Sequence, residues 1–278
     1  MLEKTIEQAA QILSNADALL IMAGAGMGVD SGLPDFRGSK GLWKAYPPIA
    51  KLGIPASKMS TPSWFDRRPQ LAWAYYGHLL KLFRETTPHN GFMQLLDIAK
   101  RKKGGYFVFT SNIDGQFQKA GYDADKINEC HGSIHHLQCT SPCSNNIWNA
   151  NRINVEVDME EFRALEPLPL CQACGAIARP NVLMFGDGIW SLSRNNKQSD
   201  RYYDWRDQLQ ENHFNLAIVE IGAGKVVPKV RCHSEFVAEK CNGTLIRINP
   251  RDSEVPDGHL SIPLGCAKAV NSIFELLN

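Results

Sequence analysis

The sequence predicts an α/β fold, a doubly wound parallel sheet with a smaller domain inserted. Three observations carry that expectation. The apolar run Leu19 to Met22 breaks at once into Gly24, Gly26 and Gly28. A second apolar run, Leu216 to Ile221, breaks in the same way into Gly222, Ala223 and Gly224. Between them lie four cysteines in two close pairs. Short apolar runs ending in glycine read as buried parallel strands followed by turns. Open parallel sheets bind ligands at such strand ends, and a glycine turn lets a backbone approach a pyrophosphate. On this reading the helix after the first turn starts near Asp30 to Gly32.

The remaining elements follow in order. Leu2 to Ala16 places Ile6, Ala9, Ala10 and Leu13 on one helical face. After Gly38 a proline-rich, aromatic segment leads to a helix from about Pro69 to Phe83, whose Trp73, Tyr75, Tyr76 and Phe83 read as core. Asn90 to Lys103 is an amphipathic helix stopped by Gly104 and Gly105. A strand at Tyr106 to Phe109 then delivers Ser111, Asn112, Ile113 and Asp114 to its carboxyl end. His131, in Glu129-Cys130-His131-Gly132, follows another short strand and suits a general base near neutral pH. His135 and His136 read as surface residues. The stretch 188–210 is polar and has no assignment. Thr244 to Ile248 is a further strand, and a helix after Cys266 closes the chain.

Composition narrows the function. The 278 residues carry a formal charge of +1, and no basic run exceeds Arg101-Lys102-Lys103, so nothing points to a nucleic-acid partner. No apolar run approaches the roughly 20 residues that cross a bilayer, and the N-terminus lacks a leader pattern, so a cytoplasmic protein with no membrane partner is expected. Eight cysteines in that compartment read as thiols or metal ligands. Cys139 and Cys143 form C-x3-C, and Cys171 and Cys174 form C-x2-C. Four thiolates in two knuckles suit a tetrahedral structural zinc; free buried thiols and an iron-sulfur cluster are the alternatives.

Together the motifs GAGMGVDSGLPDFRG, TSNIDGQFQKAG, ECHG, the paired cysteines, RPNVLMFGD, the second GAG, IRIN and GCA resemble, in that order from Leu19 to Ala267, the sirtuins, Sir2-type NAD-dependent protein deacylases. The resemblance implies a Rossmann-like NAD-binding domain from 1–38, 88–134 and 211–278. The small domain, a helical module and a zinc ribbon, takes 39–87 and 135–187. It implies that Gly24, Ala25 and Gly26 lie against the pyrophosphate with Arg37 as its cation, and that Asp35, Phe36, Ser111, Asn112, Ile113 and Asp114 line the nicotinamide pocket. Gly222, Ala223 and Gly224 match the second phosphate turn, Asn249 and the Cys266 backbone the adenosine contacts, and Leu183, Phe185 and Gly186 the acyl-lysine peptide. His131 matches the catalytic base, acting beside Asn112 and Asp114. The implied reaction consumes NAD as co-substrate and yields nicotinamide, free lysine and O-acyl-ADP-ribose.

The sequence also departs from the family pattern. Gly28 replaces a serine, Ser111 and Phe117 replace a glutamine and a histidine, Ala223-Gly224-Lys225 replaces Thr-Ser-Leu, and Pro228 comes one residue early. Each lost polar contact is worth on the order of 1 kcal/mol. Two other readings therefore stay open, ADP-ribosyl transfer or NAD hydrolysis in the same cleft, and a non-catalytic NAD sensor. Retention of His131 counts against the first, and of Asn112, Asp114 and His131 together against the second. Tyr76 aligns with the tyrosine of the Tyr-x-x-Arg pair found in desuccinylase-like members, while Leu79 stands where the arginine would be, so neutral acyl groups are expected over acidic ones.

Overall fold

The computed structural model describes residues 2–34, 41, 44, 46–141 and 143–278, with only the main chain at Ala56. Asp35, Phe36 and Arg37 lie outside the described residues. Helix α1 (Leu2–Asn15) buries Ile6, Ala9, Ala10 and Leu13, the face its periodicity predicts. Strand β1 (Ala18–Ala23) is buried at every position, as a strand covered on both faces must be.

A 3-10 helix (Ala25–Ser31) follows Gly24 directly and ends at Gly32, which is left-handed with φ 86°. The helix expected to start near Asp30 is therefore not there. The chain turns five residues earlier, because the extended Gly24 (φ −107°, ψ −179°) delivers Ala25 straight into the turn.

Helix α2 (Pro69–Glu85) buries Trp73, Tyr75, Tyr76 and Phe83, so these aromatics are core as expected. Helix α3 (Asn90–Lys100) begins at His89, whose ring accepts a hydrogen bond from the Gly91 amide at 3.0 Å. Strands β2 (Tyr106–Thr110) and β3 (Ile127–Glu129) come next. Then β4 (Gly132–Cys139), β5 (Trp148–Asn149), β6 (Val157–Asp158), β7 (Arg163–Ala164) and β8 (Ala178–Val182) build the small domain. The unassigned stretch 188–210 is mostly helix α4 (Ser193–Glu211), followed by β9 (Leu216–Ile221), α5 (Lys229–Lys240), β10 (Thr244–Ile248), β11 (Leu260–Ile262) and α6 (Cys266–Leu276).

The large sheet is parallel with order β11-β10-β9-β1-β2-β3, which is the doubly wound order. One apolar cluster packs α1, α3 and α6 on one face, and a second packs α4 and α5 on the other. Between β1 and β9 the connections leave toward opposite sides, so a crevice opens at their carboxyl ends. A third cluster fills the small domain, where β4 lies antiparallel between β5 and β8. Trp73, fully buried, donates from Nε1 to the Ala178 carbonyl at 2.9 Å and so joins the helical module to this sheet. Among the described residues no helix is long and apolar enough to cross a membrane.

Candidate active site

The two glycine turns meet at the crevice and interlock. Gly222 has φ +63°, and a Cβ there would lie 2.5 Å from the Gly26 Cα and the Met27 nitrogen. A Cβ on Gly26 would in turn meet the Gly222 Cα at 2.7 Å. Hydrogen bonds run across the seam from Gly26 N–H to the Gly222 carbonyl (3.1 Å) and from Gly24 N–H to the Ile221 carbonyl (2.9 Å). The glycines are thus required first by each other. The Gly24 and Gly26 amides are already used, and the Gly32 amide, in the stretch whose N–H groups are expected to face a pyrophosphate, is spent on the Val29 carbonyl at 2.9 Å. The amide of the exposed Ala25 between them takes no partner among the described residues, nor do those of Ala223 and Gly224.

Asn249 is fully buried and spends its side chain shaping the second turn. Its Nδ2 donates to the Ala223 carbonyl at 2.9 Å, and its Oδ1 accepts the Arg251 and Asp252 amides at 3.1 and 3.0 Å. Asp30 accepts the Ala267 amide at 2.7 Å, which fixes the start of α6 beside the first turn. A small cavity of about 70 Å³ lies there, lined by Gly26, Gly222, Arg251 and Cys266 among others.

At the end of β2, Thr110 Oγ1 donates to the Ala23 carbonyl and accepts the Asn112 amide, both at 3.0 Å. Asn112 Nδ2 then donates to the Gly24 carbonyl at 3.0 Å, tying this loop to the first glycine turn. The Asp114 carboxylate accepts the Gln116 amide at 2.9 Å. Burial, with the charge of Glu129 acting the same way, raises the Asp114 pKa from 3.8 to about 6 despite that bond. Ser111 and Ile113 are half-buried beside it.

His131 leaves the end of β3 next to this loop. The Cys130 amide donates to the Thr110 carbonyl, and the Leu183 amide to the His131 carbonyl, each at 2.9 Å. Gly132 is obligatory, since its φ is +76° and a Cβ would strike the Asn181 carbonyl oxygen. Burial pushes the His131 pKa below 6.5, and the Lys229 cation pushes it the same way, against a main-chain hydrogen bond at Ser111. The imidazole is therefore neutral, and able to accept a proton, at neutral pH.

The segment after β8 closes the site from the small domain. Arg179 and Asp187 form an ion pair with no solvent exposure on either side chain, and Asp187 also accepts the Met184 and Ile189 amides at 3.2 Å. This pair folds the turn that presents Leu183 and Phe185, 38% and 50% exposed, with Gly186 left-handed between Phe185 and Asp187. Phe185 N–H reaches back to the Ser60 carbonyl at 2.9 Å.

His135 and His136 are not surface residues. Both are half-buried: His136 pairs with Asn149 of β5, the Ala150 amide donates to the His135 carbonyl at 2.8 Å, and against β8 the two fall in a register shift between Ser133 and Leu137. His135 Nε2 lies 2.9 Å from the Asp114 carbonyl oxygen, and burial together with Arg194 holds His136 at a pKa of about 4. Both line a cavity of about 950 Å³, along with Asp114, Arg194 and Lys197, and none of the glycine-turn residues reaches it.

The four cysteines converge. Cys139 and Cys174 Sγ lie 3.5 Å apart, Cys143 and Cys171 Sγ 3.6 Å apart, and all four sulfurs fall within 4.8 Å of one another. Thiolates at about 2.3 Å from a tetrahedral zinc sit about 3.8 Å apart, so the set fits a structural zinc that has no open position.

The Sir2 family model matches residues 24–212. The NAD-dependent protein deacylase of Thermococcus kodakarensis is 33% identical, over 89% of this chain and 85% of its own. That of Aquifex aeolicus is 28% identical over 85% of each. Among solved structures, a mutant Sir2 homologue in an ADP-ribose complex aligns with a TM-score of 0.71 and 23% identity, covering 97% of this chain and 95% of that one. A Sir2 protein bound to a propionylated peptide aligns at 0.66 and 17%, covering 97% of each.

Proposed function

Because this chain belongs to the Sir2 family, we propose that it removes acyl groups from protein lysine side chains at the expense of NAD, releasing nicotinamide and O-acyl-ADP-ribose. The observation that carries the reading is the convergence of Asn112, bonded to the Gly24 carbonyl, and a neutral His131, beside Ser111, on the crevice where the two glycine turns interlock.

The main chain of that crevice receives the dinucleotide. The free amides of Ala25, Ala223 and Gly224 face the pyrophosphate, and Asn249, whose side chain is consumed internally, holds the turn that takes the adenosine end, with Cys266 at its rim. Arg37 serves as the pyrophosphate cation, and Asp35 and Phe36 complete the nicotinamide pocket begun by Ser111, Asn112, Ile113 and Asp114. Asn112 has one N–H on Gly24, which leaves its Oδ1 and second N–H for the nicotinamide amide.

NAD, when bound, supplies the activated glycosidic carbon that accepts the acyl oxygen as nicotinamide departs. His131 takes the proton relayed from the ribose hydroxyls, a role its depressed pKa permits at neutral pH. Leu183, Phe185 and Gly186 hold the extended peptide. Cys139, Cys143, Cys171 and Cys174 hold the zinc, which stabilises the small domain and lies outside the chemistry.

The test is incubation with NAD and a mixed set of acyl-lysine peptides, with products identified by mass. Free lysine peptide, nicotinamide and O-acyl-ADP-ribose in equal amounts are expected. ADP-ribosylated protein, or nicotinamide release without unmasked lysine, would replace this reading with transfer or hydrolysis.

A further inference from the structure

Strand β3 is an edge of the large sheet, yet its open side is not bare. Exposed edges are usually blunted by charge, proline or a bulge. Here the N-terminal turns of α4 supply side chains where a seventh strand would supply backbone. Gln198 Oε1 accepts the Glu129 amide at 3.1 Å, and Asn195 Nδ2 donates to the Glu129 carbonyl at 3.0 Å and to Asn128 Oδ1 at 3.2 Å. Asn128 Nδ2 donates to Ser199 Oγ at 3.1 Å. The Glu129 side chain, 1% exposed, pairs with the Arg194 guanidinium and accepts from Gln198 Nε2 at 3.3 Å.

Every polar group of Glu129 is therefore held by one helix, and Glu129 stands two residues before His131. The contact is unusual in kind. Helix α4 buries only Gln198, Tyr202 and Leu209, so its N-terminal end is located by directional bonds and not by apolar packing. Apolar packing tolerates small slides; a shared pair of main-chain bonds with a buried ion pair does not. A buried carboxylate is also an expensive way to cover an edge unless its position matters.

We propose that Arg194, Asn195 and Gln198 are positioning residues for the catalytic base, acting through Glu129 to fix where the loop presents His131. The inference rests on the deacylase reading above for its kinetic consequence, but not for its structural one.

Two measurements on the full chain decide it. The first is hydrogen–deuterium exchange of the segment 127–133, which needs no substrate. The second is steady-state deacylation with NAD and an acetyl-lysine peptide. In Arg194→Ala, exchange of 127–133 should rise while that of β1 and β9 is unchanged. In the same variant kcat should fall about 10- to 100-fold, the scale of a misplaced reacting group. KM for NAD should stay within about twofold, since the dinucleotide contacts are elsewhere. Arg194→Lys should recover most of the lost kcat. Should Arg194→Ala fail to fold, Gln198→Ala keeps the ion pair, releases the Glu129 amide and is read in the same two ways. Unchanged exchange and unchanged kcat in both variants would overturn the proposal, as would a kcat loss that merely tracks the folded fraction seen by thermal melting. A wild-type protein that does not deacylate would overturn the functional reading alone, leaving the exchange measurement to judge the clamp.

Discussion

The two walls of the cleft are built by opposite means. The sheet wall is made of backbone: its central strands β1 and β9 are buried throughout, and its glycine turns owe their shape to the missing side chains of Gly26 and Gly222. The small-domain wall is made of side chains. Its strands β5, β6 and β7 have two residues each, and what holds them is the aromatic cluster of α2, the Arg179–Asp187 pair and four cysteines. A wall made of backbone needs no ligand to stand. A wall made of short strands and thiolates leans on its metal.

The largest effect should therefore come from the metal. Metal analysis of the purified protein should return about one zinc per chain. Chelation, or Cys143→Ser, should melt the small domain while hydrogen exchange in β1, β9 and β10 stays protected. Equal loss of protection in both walls would dissolve the contrast.

The converse perturbation is Gly222→Ala. It adds a methyl in a left-handed backbone and against the Gly26 main chain, so it should cost about 3 kcal/mol or more, read as a fall in Tm and loss of NAD binding. Gly53 is the control, with φ +64° and nothing within 4 Å of its missing Cβ. Gly53→Ala should cost only about 1 kcal/mol, the strain alone. Equal costs would show that the interlock contributes nothing.

His131→Ala separates chemistry from architecture. Deacylation should fall about 10²-fold or more while NAD binding persists, whereas replacing Asn112 should also suppress nicotinamide exchange. Near-normal turnover without the imidazole would remove its assigned role.

These outcomes depend on residues that the sequence revealed unevenly. The places of the cysteines, His131 and the Asn112–Asp114 loop in the fold were readable because these side chains stand at telling spacings or directly after a strand. Helix α4 was not, since a helix that buries only three residues and docks through Arg194, Asn195 and Gln198 leaves almost no apolar period to detect. His135 and His136 looked exposed because their half-burial comes from β5, which pairs with β4 across an intervening loop, and no local pattern reveals that pairing. The glycine turns were recognised, but for a phosphate; that each exists first to admit the other is a tertiary fact.

A smaller effect sharpens the side-chain wall. Leu79 is 2% exposed and uncharged, and Arg179, the cation that acts on Tyr76, is already paired with Asp187, so neither offers a charge to an acidic acyl tip. Matched peptides should show kcat/KM for acetyl or butyryl exceeding that for succinyl by about tenfold, a difference of about 1.4 kcal/mol. A succinyl peptide outperforming both would mean the acyl tip lies elsewhere.

A last effect is the pH dependence of Asp114. Its pKa is raised to about 6 from 3.8, so the folded protein binds this proton more tightly than the unfolded one. The associated stability is complete below about pH 4 and is lost as pH rises through 6. Asp114→Asn should flatten that decline, measured as Tm from pH 4 to 7. An unaltered slope would show that Asp114 is not the group responsible.

The interlocked turns also constrain how such a chain changes over generations. Positions 26 and 222 lie 196 residues apart, yet a side chain gained at either one is refused by the backbone of the other, so neither can drift while its counterpart stays. The free amides at Ala25, Ala223 and Gly224 carry no such mutual veto. Substitution can thus act on the residues around these amides, while the seam that brings the two halves of the sheet together admits no side chain at either position.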